Sequence, residues 1–172
     1  MMVELLKSPT EEDWMAVKER ALVTIGKHAV TPPTSEWKHE ILKARHSPIR
    51  YLTYSFYLAG IPSWVSVHLV RHVHAQPYVK SQRNDRQSEY DRTKAPQDAP
   101  VNMIWDVNAE ELMTIANKRL CNLASPETRR VVEEMCDLAK LATPELTGLL
   151  VPMCVRLHGH CEEMKPCGRY SK

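Results

Sequence analysis

The sequence predicts a single mixed α/β (α+β) domain, and three observations carry that reading. The stretch Tyr51–Ala59 alternates strictly, with Leu52, Tyr54, Phe56 and Leu58 on one side and Tyr51, Thr53, Ser55 and Tyr57 on the other. Period two with aromatic and β-branched residues is the pattern of a half-buried strand. Helix-opening signals recur elsewhere, at Thr10, Asn108, Ser125-Pro126 and Thr143-Pro144. The length of 172 residues, with 43% apolar and 26% charged positions, suits one domain with its own core.

Taken in order, Thr10 reads as an N-cap followed by an acidic first turn, Glu11, Glu12 and Asp13. Trp14, Val17, Ala21, Leu22 and Ile25 then keep helical spacing, and the helix should stop between Gly26 and His28. After the break Thr31–Ser35 a short helix is expected over Glu36–Lys43. His28 and His39 read as exposed surface residues. The strand Tyr51–Ala59 should end at Gly60, and Ser63 should cap a helix running through Trp64, Val65, Val67, Leu69 and Val70. Ala75–Ser81 reads as a second strand or an extended loop, with Pro77 unsuited to a central strand. Asn84–Pro100 is a long polar loop of the kind that carries function or mobility. Asn108 with Glu111 three residues on resembles a capping box, and Leu112, Ile115, Ala116 and Leu120 form the stripe of its helix. A helix from Pro126 should bury Val131, Val132, Met135, Leu138 and Leu141 or Ala142. Thr143-Pro144-Glu145 opens a short apolar segment to Pro152, and the tail from Met153 to Lys172 reads as irregular.

Composition narrows the function classes. A formal net charge of +2 is no global polycation, so nucleic-acid or acidic-membrane binding would need a local patch, and neither is expected. No apolar run approaches a membrane span, and the N-terminus lacks the pattern of a signal peptide, so the expected compartment is the cytoplasm. Cys121, Cys136, Cys154, Cys161 and Cys167 are then expected as reduced thiols. One Phe against eight Met implies an aliphatic, Met-rich core.

The stretch most suggestive of chemistry is Ile61–Arg86. An apolar element delivers Arg71-His72, and the polar segment after it carries Ser81, Arg83 and Arg86. On pattern alone two readings stand: a core helix followed by a solvated basic loop, or a site for an anionic ligand.

Arg71-His72-Val73, seven further residues, then Ser81 and Arg83 resemble the signature of the flavin-dependent thymidylate synthases: Arg-His-Arg, seven residues, Ser, one residue, Arg. Two collinear features extend the resemblance over roughly residues 45–140. Upstream stand Ser47-Pro48 and the aromatic-rich strand; downstream, Asn108 opens a helix with Arg119 eleven residues later. The resemblance implies a small antiparallel-type sheet with packed helices and a homotetramer with sites between subunits. It also implies FAD as cofactor, NADPH as reductant, and methylation of dUMP to dTMP with methylenetetrahydrofolate as carbon donor. Carried over by position, Ser47, Arg71, His72, Asn108 and Thr114 fall at flavin contacts. Arg71, Ser81 and Arg83 fall at nucleotide contacts, and Arg119 falls at the Arg that contacts and polarises the uracil ring, the catalytic candidate. An Arg there would stabilise charge developing on a ring carbonyl, and an Arg fork suits phosphate.

Several positions depart from the family pattern. Val73 replaces the signature's third residue, and His68 replaces a Gln. Val79 stands for an acidic or amide residue, Thr114 for an Asn, Glu110 for an Arg, and Arg45, beside His46, for a His. The family's middle helices give way to the polar loop, where Arg92 is the nearest counterpart of a phosphate-binding Arg. These changes keep open a flavoprotein acting on another pyrimidine nucleotide, and a non-catalytic nucleotide- or metal-binding homologue. The tail gathers Cys154, His158, His160, Cys161 and Cys167, ligand types suited to zinc or an iron–sulfur cluster, but its spacing lacks a metal knuckle, so no metal is expected. His72 and His74 would share one side of a strand, but the resemblance gives His72 another role. Cys121 and Cys136 read as small core residues of helices.

Overall fold

The computed structural model describes residues 1–83, 85, 91 and 93–170. A four-stranded sheet forms the centre, made of β1 (Met2–Lys7), β2 (Thr53–Pro62), β3 (Ala75–Val79) and β4 (Pro100–Asn108) in the order β1-β2-β4-β3. Every neighbouring pair is antiparallel, as expected. One face is apolar: Tyr54, Phe56 and Leu58 of β2 lie beside Val101, Met103, Trp105 and Val107 of β4, all buried. Phe56 pairs with Trp105 and Tyr54 with Val107, so the largest side chains meet on the two central strands. The opposite face is more open, with Tyr57, Ile104 and Tyr78 in register across three strands and Tyr78 exposed.

Two strands, β1 and β4, were not expected. MVELLK forms β1, and Val101, Met103, Trp105 and Val107 alternate along β4 before it runs into a helix. The strand β2 also does not stop at Gly60. Gly60 takes φ +64°, a left-handed conformation open to glycine at low cost, and sits in a bulge between Leu58 and Ile61. Its N–H is taken up by Asn102 Oδ1 at 2.9 Å, and the strand resumes to Pro62. Ser63 is accordingly the first residue of the next helix rather than its cap; Pro62 occupies the cap position with no side-chain bond. Ala75–Val79 is a strand, and Pro77 is tolerated because β3 is an edge.

The helices cover the apolar face. They are α1 (Glu11–Val23), α2 (Ser35–Lys43), α3 (Ser63–Leu69), α4 (Ala109–Arg119), α5 (Pro126–Ala142) and α6 (Met153–Arg156). The α1 start matches expectation: Thr10 Oγ1 accepts from Asp13 N–H, and the Asp13 carboxylate accepts from Thr10 N–H, a full capping box. Helix α2 is capped by Thr34. Helix α5, capped by Ser125, packs on α3, α4, β1 and β2. Its buried stripe runs Val131, Val132, Met135, Cys136 and Ala139, and Leu141 is 80% exposed. Ala142, the alternative end of the expected stripe, is exposed too, and the buried side passes from Ala139 to Thr143, four residues on. Thr143 instead closes the core: it is buried, and its Oγ1 accepts from Tyr54 Oη at 2.9 Å. Short 3-10 turns occupy Ser47–Tyr51 and Pro144–Leu146. His28 is exposed beside Glu19, as expected, whereas His39 is half-buried and donates from Nδ1 to the Glu145 carbonyl at 2.9 Å. The tail is irregular apart from α6. No helix among the described residues is long and apolar enough to cross a membrane.

Candidate active site

Helix α4 is the platform. Strand β4 runs directly into it, and Asn108 Oδ1 accepts the Glu111 N–H at 2.9 Å, which fixes the first turn. Glu111 and Arg119 are eight residues apart, just over two turns, so their side chains lie along the same side of the helix. Across from them, α3 ends in a tight turn in which His72 N–H bonds the Leu69 carbonyl at 3.1 Å. That turn sets the His72 ring between the two.

The result is a continuous chain of hydrogen bonds. His72 Nδ1 lies 3.1 Å from Glu111 Oε1, and Arg119 Nε–H donates to His72 Nε2 at 3.1 Å. Arg119 Nη2 also donates to the His68 carbonyl at 2.8 Å. The His72 and Glu111 side chains are only 10% and 7% exposed. Burial, and secondarily the Arg119 charge, lowers the His72 pKa to about 4, so the ring is neutral near pH 7. Burial raises the Glu111 carboxyl above its ordinary range, opposed by the nearby His74 and reinforced by Glu110. Burial lowers the Arg119 guanidinium, as does the charge of Arg71. Glu111 thus departs from the expected capping box: it sits at the right position, but its carboxylate is bonded to His72.

Two clefts border this chain. One, of about 310 Å3, is lined by Arg50, His74, Asn108, Glu110, Glu111 and Thr114. Arg50 Nε donates to the Glu110 carboxylate there. Thr114 Oγ1 donates to the Glu110 carbonyl at 3.0 Å, and Arg45 reaches Thr114 Oγ1 and Asn117 Oδ1. The other, of about 300 Å3, contains His72, Lys118 and Arg119, with Glu163 at its edge. A larger cleft, about 520 Å3, holds Arg45, Lys43 and Arg156 and none of the expected site residues.

The expected residues are therefore gathered in part. His72 stands with Arg119, and Asn108 with Thr114. Arg71 is exposed, close enough for its charge to act on Arg119. Ser47 is exposed at the start of a 3-10 turn and lines neither cleft. Ser81 and Arg83 adjoin, with Arg83 N–H donating to Ser81 Oγ at 3.2 Å, but outside both clefts. The Arg83 guanidinium is bound through two bonds to Asp85, at 2.9 and 2.6 Å. Arg86 and Arg92 lie outside the described residues. Sequence reasoning missed Glu111 as a polar contact and Arg45 as a contact of Thr114. For Glu111 the signal was available: a carboxylate one turn into a helix whose neighbours Leu112 and Met113 are apolar is headed for burial.

The cysteines are distributed differently from expectation. Cys136 is a core residue whose thiol burial pushes up to about 12, but Cys121 lies past the end of α4, half-buried. Cys121, Cys154, Cys161 and Cys167 border one small cavity. Among the described residues, no three His, Cys, Asp or Glu side chains are placed to hold a metal ion.

This architecture, an antiparallel sheet with helices packed on one face, is the fold of the flavin-dependent thymidylate synthases. Over 87% of its length the chain superposes on 97% of thymidylate synthase X from Helicobacter pylori, solved with FAD and dUMP, with a TM-score of 0.67 and 16% identity. It superposes equally, at 0.67 and 16% identity over 86% of its length and 93% of the other chain, on the UMP/dUMP methylase PolB from Streptomyces cacaoi, solved with 5-Br dUMP. The family model described as Thymidylate synthase complementing protein matches residues 84–145, which span β4, α4 and α5. The resemblance to the flavin-dependent thymidylate synthase family drawn from the sequence is borne out by both. No curated protein matches the sequence.

Proposed function

We propose that the chain is a flavin-dependent enzyme that methylates the uracil ring of dUMP, giving dTMP, with methylenetetrahydrofolate as one-carbon donor and NADPH as reductant. The observation that carries this reading is Arg119. Two of its nitrogens are held by His72 and the His68 carbonyl, and among the described residues Nη1 has no hydrogen-bond partner. A guanidinium fixed at a cleft with one end uncommitted is suited to a pyrimidine carbonyl, where it would stabilise negative charge as the ring reacts. The family match and the dUMP-binding neighbours support the same substrate class.

The residues at the 310 Å3 cleft fit part of FAD. Asn108 Oδ1 is committed to Glu111, so its Nδ2 is left to donate to a ring carbonyl or nitrogen, and His74 and Thr114 add polar contacts beside it. The volume is near the lower end for small-molecule pockets, about 300–1,000 Å3, so one chain would enclose only part of the dinucleotide. A homotetramer that completes the pocket between subunits, with exposed Ser47 and Arg71 reaching the remainder, is part of the proposal. When bound, the flavin supplies the two electrons that take the one-carbon unit from the methylene to the methyl level, and NADPH restores them. The protein's own share is orientation and electrostatics: Arg119 on the ring, neutral His72 beside it, and Ser81 and Arg83 on the phosphate.

A second reading, a related uracil nucleotide such as UMP, draws support from the structural likeness to a UMP/dUMP methylase. The test is direct. The protein is purified with FAD, its visible spectrum recorded, and the flavin reduced anaerobically with NADPH. Mixing with methylenetetrahydrofolate and either dUMP or UMP should reoxidise the flavin and yield the 5-methylated nucleotide. A protein that takes up no flavin refutes the flavoenzyme reading; flavin without methylation of either nucleotide refutes the reaction.

A further inference from the structure

We infer that Glu111 is a positioning residue: its carboxylate fixes His72 as the Nδ1–H tautomer, so that Nε2 can accept from Arg119 and hold the guanidinium in place. The inference deepens the proposed function and rests on it for its kinetic consequence, though not for the hydrogen-bond chain itself.

The argument follows from what each group can donate. Arg119 Nε carries one hydrogen and accepts nothing, so the 3.1 Å contact requires His72 Nε2 to be unprotonated. A neutral imidazole then carries its proton on Nδ1. The group 3.1 Å from Nδ1 is Glu111 Oε1, which accepts it. The opposite tautomer would set an Nε2–H against the Arg119 Nε–H and leave Nδ1 with no donor at the carboxylate. A protonated ring would keep the Nδ1–H but set an Nε2–H against the Arg119 Nε–H, and would add a buried charge beside Arg119. The lowered His72 pKa agrees with the neutral form.

Burial makes the choice of partner consequential. Glu111 is 5% exposed, so water is poorly able to replace it. Without it, the buried Nδ1 loses its acceptor, the ring is free to move its proton to Nε2, and Arg119 is left on the His68 carbonyl alone. Glu111 also lines the 310 Å3 cleft, but this role requires no contact with nucleotide or flavin. It acts through His72, and through His72 on Arg119.

The experiment reads the tautomer first, in the purified protein with neither flavin nor nucleotide. The 15N shifts of the His72 ring should show Nδ1 protonated and Nε2 bare. A wild-type ring protonated on Nε2 overturns the inference at once, whatever any variant does. Glu111→Ala should shift the ring toward the Nε2–H form, and Glu111→Gln, which keeps an acceptor oxygen, should restore the Nδ1–H form. An unchanged tautomer in a folded Glu111→Ala protein overturns the inference. In methylation assays Glu111→Ala should lower kcat by about 10- to 100-fold, short of the roughly 100- to 1,000-fold loss from removing a charge-stabilising donor itself. KM for the nucleotide should change less, and Glu111→Gln should recover most of the rate. If the unmodified protein methylates no nucleotide, the functional reading fails while the ring spectra still decide the tautomer.

Discussion

Trp105 offers a sharp test of how this core is assembled. It is fully buried on β4, opposite Phe56 and with its ring 6.2 Å from that of His72. Among the described residues its Nε1–H has no hydrogen-bond partner. Replacing Trp105 with Phe sets two terms against each other. The smaller ring removes about 40 Å3 of packing, which costs about 1 kcal/mol from the cavity at roughly 24 cal/mol per Å3 and somewhat more from lost transfer energy. It also deletes an unsatisfied buried donor, which returns about 1–3 kcal/mol. The terms nearly cancel, so Trp105→Phe should leave stability within about 1 kcal/mol of the parent. Trp105→Ala creates the cavity with far less packing and should cost about 3–5 kcal/mol. Urea denaturation followed by far-UV circular dichroism, with the slope unchanged between proteins, measures both. A loss above about 2.5 kcal/mol for Trp105→Phe would refute the reasoning, since it would mean that Nε1 donates a bond of real strength.

Other outcomes follow from the same contacts. The folded pKa of His72 lies near 4, below its ordinary 6.5, so the unfolded chain binds the proton first. Stability should therefore fall as pH drops from about 6.5 to 4, by about 1–2 kcal/mol after solvent screening of a site that is not sealed. The raised Glu111 carboxyl opposes part of that loss, and His72→Gln should flatten the slope measured by urea midpoints across the range. Asn108→Ala should cost about 1 kcal/mol of stability through the lost cap. Asn108→Asp should keep the cap yet weaken FAD binding in a titration, because it loses the Nδ2 donor. Asp85→Asn weakens the hold on Arg83 and should tighten dUMP binding several-fold by calorimetry; unchanged affinity would place Arg83 away from the phosphate.

The sequence disclosed the helices well because their ends carry local chemistry. Thr10, Asn108 and Ser125 each bond the backbone three residues on, and each was readable without tertiary information. The sheet was half legible. β2 announces itself through aromatic alternation, whereas in β4 the equally clean alternation of Val101, Met103, Trp105 and Val107 runs straight into the Asn108 cap, whose local helix signal masks it. Gly60 misled for a physical reason: glycine ends strands and also makes bulges, and only the partner Asn102 decides between them. At the site, Arg71, His72 and Arg119 could be named from spacing. That Glu111 would leave its helix end for His72 could not, because that contact joins residues 39 apart in the chain. Nor could the Asp85 clasp on Arg83 be foreseen from a motif that counts only Ser and Arg.

Pro77 has a consequence for how concentrated solutions of this protein behave. Lys80 N–H bonds the Asn102 carbonyl of β4, and by strand alternation the nitrogen of Pro77 faces the sheet's open edge. That edge therefore lacks a donor at the middle of a five-residue strand. A strand from another molecule could not extend the ladder there without leaving a carbonyl unmatched, the kind of interruption that guards natural sheets against fibrillar stacking.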